Sequence, residues 1–480
     1  MSGITVTGGP AGLAVGLDEL EESAGRLRRI ALDVGEVGLA IGLTAVDPGL
    51  ALAGLLAPAE AVAAELAIGR CTGVIAVGAD VGSTAVATTA AVHAYREGER
   101  SIEALTDGIA TSAGQWVGRS VAPVVLGAGL ASVPLVAAAM AVPGARAAAV
   151  SIGLGLGREA DEILFEHPWL VPAAADGLDG LLLGLGEGVP ALGLWLSWRS
   201  GRVGVPYPPR HHADALGVVV AATRGVALDE SGRRVAVRAR PAGVGRAPSG
   251  VADLVSPHGP TSGGSRLRVT GIPQADGTWA WVVDIPGTQS LDPRAGANPW
   301  DMTSNALLLA GETTLSMLAV ERALADARRR VGDSGPPRVM AAGHSQGGIT
   351  AAALAADPGL RRRLGITHVV TAGAPVASLD VPEDVSVLSL EHTEDLVPGL
   401  EGADNPDRAG WVSVERSLAD ELGEDGRSTL AHDDDRYADT ARLVDASEEP
   451  SLAAWRAGAA PFVGAPGTPT VTIDYDVERV

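Results

Sequence analysis

Residues 338–358 read Arg-Val-Met-Ala-Ala-Gly-His-Ser-Gln-Gly-Gly-Ile-Thr-Ala-Ala-Ala-Leu-Ala-Ala-Asp-Pro. Arg338 to Ala342 form a short apolar run of strand type, and the Ala/Leu-rich run from Ile349 is helical and stops before Pro358. Between them lies Gly343-His344-Ser345-Gln346-Gly347, a G-x-S-x-G turn in the strand-to-helix context that gives the motif meaning. A turn this tight forces the serine into a strained backbone conformation, and glycine at 343 and 347 avoids Cβ clashes. It lifts the Ser345 hydroxyl above the strand ends. It also points the N-terminal end of the next helix, where the dipole favours negative charge, at the same place. Ser345 is therefore the candidate nucleophile.

A serine hydroxyl needs a base, and the base needs an orienting acid. Val385 to Leu390 read as a strand running into Glu391-His392-Thr393-Glu394-Asp395-Leu396-Val397-Pro398. A carboxylate just past a strand end suits the acid. Asp395 fits best, Glu391 and Glu394 are rivals, and a solvated acidic loop is the alternative. Downstream, Ala431-His432-Asp433-Asp434-Asp435-Arg436-Tyr437 is polar and loop-like, so His432 is free to reach both partners. His344 adjoins Ser345 and points elsewhere, and His392 lies so near the acid that it would buttress that loop. For the oxyanion, Trp281 to Gln289 form a strand ending in a glycine-containing turn. Its Thr288 or Gly287 would donate one N–H and Gln346 the other, with an ordinary strand-end turn as the alternative.

The surrounding chain alternates strand and helix. Arg266–Thr270 and Trp279–Ile285 flank Asp276-Gly277, a hairpin signal. A helix from about 305 to 330, the strand before Ser345, and strands at 368–372 and 385–390 follow. This alternation predicts an α/β domain over 264–480, with a mostly parallel sheet covered by helices on both faces. Residues 201–263 read as a turn-rich linker with short β-like runs, among them Val218-Val219-Val220 and Val235-Ala236-Val237. A fragment beginning near Gly250 should therefore fold and keep the chemistry of Ser345.

Residues 265–445 resemble the α/β-hydrolase superfamily, and within it the class 3 lipases and related actinobacterial serine hydrolases. The resemblance rests on Pro286-Gly287-Thr288, Gly343 to Gly347, Gly373-Ala374-Pro375, Asp395-Leu396-Val397-Pro398, and His432 with Tyr437 nearby. It implies cleavage of a small-molecule or lipid ester through an acyl-enzyme, with a Ser-His-Asp triad and neither metal nor organic cofactor. Pro286 stands where many such lipases carry a basic residue, which puts the lipid preference in doubt.

Residues 1–200 are an Ala/Gly-rich helical region. Leu13, Leu17, Leu20, Ala24, Leu27, Ala31 and Val34 fall at alternating spacings of four and three, one apolar seam that predicts an antiparallel partner between Pro58 and Glu97. Tyr95 and Glu99, four apart, loosely resemble the signal of helical type VII export modules. An alternative reading follows, a secreted effector whose helical half is the functional part. Ser120–Ala145 carries no charge; its prolines favour a buried helix, with weak membrane association as the alternative.

Composition narrows the field. The chain has 480 residues, room for two or three domains at about 150 residues each, and a formal charge of −22. That charge repels phosphate and excludes a general nucleic-acid binder. All 36 basic residues are arginine, a codon-bias signature. One cysteine, Cys71, cannot by itself make an internal disulfide or a thiolate metal site and reads as an inert buried thiol. The N-terminal residues lack a secretory signal, so a cytoplasmic location is expected by default, with non-standard export left open.

Overall fold

The computed structural model describes residues 3–45, 49, 57–71, 73–127, 157–256, 266–423, 426–464 and 468–480. They divide into two compact units, Leu13–Leu105 and a larger one made of Met1–Gly12 with Thr106–Val480. The expected boundaries at 200 and 264 are not where the chain divides. Leu182, Leu192, Leu196 and the helix over 212–223 share one core with the sheet, because their apolar faces have no other core to join.

In the smaller unit, the helix Leu13–Ala45 runs antiparallel to residues 73–105 of the helix Gly73–Gly127, as the seam predicts. Arg96 pairs with Asp18 and Glu21 near one end, and Val34 meets Gly78 near the other. Ala24 is buried, but Leu13 and Leu20 of the seam stay exposed. Of the uncharged stretch 120–145, residues up to 127 finish that long helix, and the remainder lies outside the described residues, as does the side chain of Cys71. Among the described residues no helix is long and apolar enough to cross a membrane.

The larger unit is a mixed α/β structure built on one sheet. Its strands are β1 (Thr5–Gly8), β2 (Val235–Ala239), β3 (Gly243–Arg246), β4 (Leu267–Pro273) and β5 (Trp279–Ile285). They continue with β6 (Val339–His344), β7 (Ile366–Ala372), β8 (Ser386–His392), β9 (Trp411–Arg416) and β10 (Pro469–Arg479). The order is β1-β9-β8-β7-β6-β5-β4-β10-β2, with β3 also pairing β10. Strands β5 to β9 form the parallel block, side by side in chain order, and both flanks are antiparallel.

That monotonic order has a physical consequence. Right-handed crossovers between successive parallel neighbours all fall on the same face of a sheet. The crossover helices Met302–Leu309, Leu315–Val331, Gln346–Ala356 and Pro358–Leu364 accordingly share one core with Trp281, Val283, Ile285 and Ala341. The alternate side chains Ala280, Val282, Met340 and Ala342 face the opposite core, which is covered by the helices Val251–Val255, Asp434–Ala446 and Pro450–Gly458. Helices thus cover both faces, the second through the segment before β4 and the return of the chain from β9 to β10.

Two local expectations are corrected. Val218-Val219-Val220 lie in the helix His212–Thr223, in which every residue from Ala215 to Thr223 is buried. A helix buried on all sides shows no period, so its β-branched run reads as a strand. The single helix expected over 305–330 is two, Met302–Leu309 and Leu315–Val331, separated by Gly311 at φ 74° and restarted by Thr314, whose side chain caps Met317 N–H.

Candidate active site

The carboxyl ends of β5 to β8 lie together, the edge at which open parallel sheets place their ligands. Ser345 follows β6 directly, with φ 54° and ψ −125°, one of two non-glycine residues of positive φ among those described. Its N–H donates to Ala372 O (2.9 Å) at the end of β7. A Cβ on Gly347 would sit 2.0 Å from Ile285 O, so only glycine lets the helix start abut the end of β5. A Cβ on Gly343 would meet the Gly347 backbone at 2.4 Å. The strained serine and its two glycines are one solution to close approach.

The same contact brings in the turn after β5. A Cβ on Gly287 would lie 3.5 Å from Ser345 Cβ. The N–H groups of Thr288 and Gln346 engage no backbone carbonyl among the described residues. Gln346 is buried at the first position of its helix, where N–H groups have no intrahelical partner. Asn305 Nδ2 donates to Thr288 Oγ1 (2.9 Å) and fixes that side chain.

Asp395 and His432 meet. His432 Nδ1 lies 2.7 Å from Asp395 Oδ2, an oxygen that also accepts the Tyr437 hydroxyl (2.7 Å), while Oδ1 accepts Val397 N–H (2.9 Å). The Asp395 side chain is fully buried. Burial pushes its carboxyl up, but the His432 charge and the hydrogen bonds from His432, Val397 and Tyr437 outweigh burial and hold it below the usual range. For His432, burial pushes the imidazole down, and Asp395, with Asp434 and Asp433 beyond it, more than reverses this and holds it above its ordinary value. Burial, then the neighbouring Asp395, drive the Tyr437 phenol well above 10, so it stays a donor.

The rival acids are occupied elsewhere. Glu391 accepts from Asn405 Nδ2, and burial pushes its carboxyl up to about 8. Glu394 accepts from Ser417 Oγ (2.5 Å) and Leu418 N–H (2.8 Å). His392 is buried with its ring stacked on Tyr437 at 3.9 Å. Its Nδ1 lies 2.7 Å from the Ala431 carbonyl and must donate; Nε2 then accepts from Thr440 Oγ1 (2.7 Å). Burial lowers its imidazole to about 4. It buttresses the loop, as its position next to the acid suggested.

Sequence reasoning gave Tyr437 no task and missed a second imidazole–carboxylate pair. His344 Nδ1 lies 2.5 Å from Asp434 Oδ1, and the His344 ring faces the His432 ring with centroids 4.4 Å apart. The recurrence of Asp immediately after His432 was the available signal. No hydrogen bond joins Ser345 Oγ to His432 among the described residues; in substrate-free sites such bonds are commonly long and tighten on binding.

Elements from the amino-terminal side complete the surroundings. Asp161, on the helix Gly157–Glu166, accepts from Thr429 N–H (3.1 Å) and Thr429 Oγ1 just before His432, and Phe165 packs on Gly426. The helix Leu170–Asp176 places Val171 against Leu396 and Leu400 beside the acid. Among the described residues, no group of three His, Cys, Asp or Glu side chains could hold a metal ion. Comparison with protein-family models, with curated proteins and with solved structures finds no match to this chain.

Proposed function

We propose that the chain is a serine hydrolase of carboxylic esters, built on a sheet of the α/β-hydrolase type. The observation that carries this reading is the fully buried Asp395 on Nδ1 of His432, beside a serine held at φ 54° against the turn that follows β5. Ser345 Oγ attacks the ester carbonyl as His432 Nε2 takes its proton, and Asp395 stabilises the resulting imidazolium. Thr288 and Gln346 N–H groups receive the oxyanion. His432 then protonates the leaving alcohol, and water, deprotonated by the same imidazole, releases the acid. No cofactor enters the scheme.

The test is hydrolysis of p-nitrophenyl esters of increasing chain length by the full chain. Wild type should turn over at least the short esters, and Ser345→Ala should lower kcat by at least about a thousandfold with the fold intact. Equal rates for the two proteins would reject the reading.

A further inference from the structure

Arg479, near the end of β10, has a side chain with no solvent exposure, clamped between Asp301 and Glu230. Nη1 donates to Asp301 Oδ2 (2.7 Å) and Nη2 to Oδ1 (3.2 Å). Nε and Nη2 donate to Glu230 Oε2 at 3.2 and 2.9 Å. Gly296 O, Asn298 O and Ser304 Oγ take up the rest of the fork. Arginine alone supplies five donors in one rigid plane.

Asp301 is the junction between this clamp and the candidate site. Its carboxylate caps the helix Met302–Leu309 by accepting Ser304 N–H (3.0 Å), and its carbonyl, with that of Pro299, accepts from Gln346 Nε2 at 3.3 and 3.4 Å. Gln289 N–H donates to Trp300 O (2.8 Å) and Met302 N–H to Ser290 O (2.9 Å), lacing 300–302 to the residues directly after Thr288. One turn into the helix, Asn305 holds Thr288 Oγ1. Thr288 and Gln346, on two separate segments, are therefore tied to Asp301. Without the guanidinium, two carboxylates would share that interior with no counter-charge, a costly arrangement that opens the segment.

We propose that Arg479 is a positioning residue that sets the oxyanion hole. It touches no reacting atom, and the inference rests on the ester-hydrolase reading. Donors that meet charge only in the transition state govern kcat, and a small displacement of them leaves ground-state binding nearly unchanged.

The experiment uses the full chain with Arg479→Lys, which keeps the charge and loses the fork. At a temperature where circular dichroism shows it folded, kcat should fall at least about tenfold with KM within about twofold. Affinity for a trifluoromethyl ketone, which mimics the tetrahedral oxyanion, should fall in parallel with kcat. Should Arg479→Lys not fold, Glu230→Gln relaxes the clamp from its outer side, and a kcat reduced about threefold at unchanged KM is expected. A folded variant with wild-type kcat and ketone affinity, altered only in melting temperature, overturns the inference and leaves the esterase reading standing. Failure of a fluorophosphonate to label Ser345 in the wild type overturns both.

Discussion

His344 and His432 face each other ring to ring, and each carries a carboxylate on Nδ1. Burial of the carboxylate separates their roles. The Asp395 side chain is wholly inside, whereas that of Asp434 is 46% exposed, so only Asp395 offers His432 a fixed, poorly screened orienting charge. Because the His432 proton is held more tightly than usual, its neutral, basic form dominates only above a pH higher than the ordinary 6.5. The acid limb of kcat/KM should therefore lie above pH 6.5, and Asp434→Asn, which removes one of the charges raising it, should move that limb to lower pH. A limb at or below 6.5 that ignores Asp434 would contradict this. His392 works in the opposite direction. Its imidazole falls to about 4 from about 6.5 unfolded, so it contributes stability above pH 6.5 that is lost as pH falls toward 4, on the order of 3 kcal/mol. Urea unfolding at pH 7.5 and 4.5 should show a smaller loss for His392→Gln than for wild type, while its kcat drops far less than that of His432→Gln. The juxtaposition of Asp395 with His432 near the strained Ser345 was legible, because a tight turn, a strand end and a polar loop downstream leave local marks. The His344–Asp434 pair was not: the run of Asp after His432 was its one mark, and it does not tell that this helix start reaches the end of β6.

Among the elements, the helix Leu178–Gly188 meets residues 106–127 of the long helix backbone to backbone. A Cβ on Gly180 would lie 1.9 Å from Thr111 O, one on Gly184 2.1 Å from Gln115 O, and one on Gly114 2.0 Å from Gly177 O. Asp179 and Glu187, which interrupt the apolar run in sequence, serve this contact: Thr111 Oγ1 donates to Asp179 Oδ1 (3.1 Å) and Gln115 Nε2 to Glu187 Oε2 (2.8 Å). The helix Leu178–Gly188 follows directly, through Gly177, on the helix Leu170–Asp176 that packs beside Asp395. Gly180→Leu should destabilise the fold by about 1–3 kcal/mol in thermal or urea unfolding and raise proteolytic sensitivity between 157 and 190. An unchanged melting curve would show that the helices do not need the close approach. Gly114 and Gly118, and Gly180 and Gly184, were visible as two small-residue spacings. In a chain with 63 glycines they carried no signal of their own.

At the scale of the whole chain, a cut near Gly250 divides the sheet. β10 pairs with β4 on one side and with β2 and β3 on the other, and β1, from residues 5–8, pairs β9 at the far edge. The cut also removes Glu230 from the Arg479 clamp and the helix His212–Thr223 from the core. A fragment starting at Gly250 should therefore be insoluble or inactive, contrary to the expectation drawn from the turn-rich boundary; a soluble, active fragment would show that these strands are dispensable. Strands β5 to β8 were legible because each is a short apolar run, and β5 and β6 are each followed by helices; β9 was not read. The closing strands were not, because which edge a strand joins depends on partners hundreds of residues away.

The proposed hydrolase needs the Ser345 hydroxyl to be activated by His432. Mass-spectrometric mapping of a fluorophosphonate adduct on the full chain tests this. A single adduct on Ser345, formed by the wild type and slowed at least about a thousandfold in His432→Gln, is the predicted result. No adduct, or one that forms equally fast without His432, would rule out a His432-activated serine.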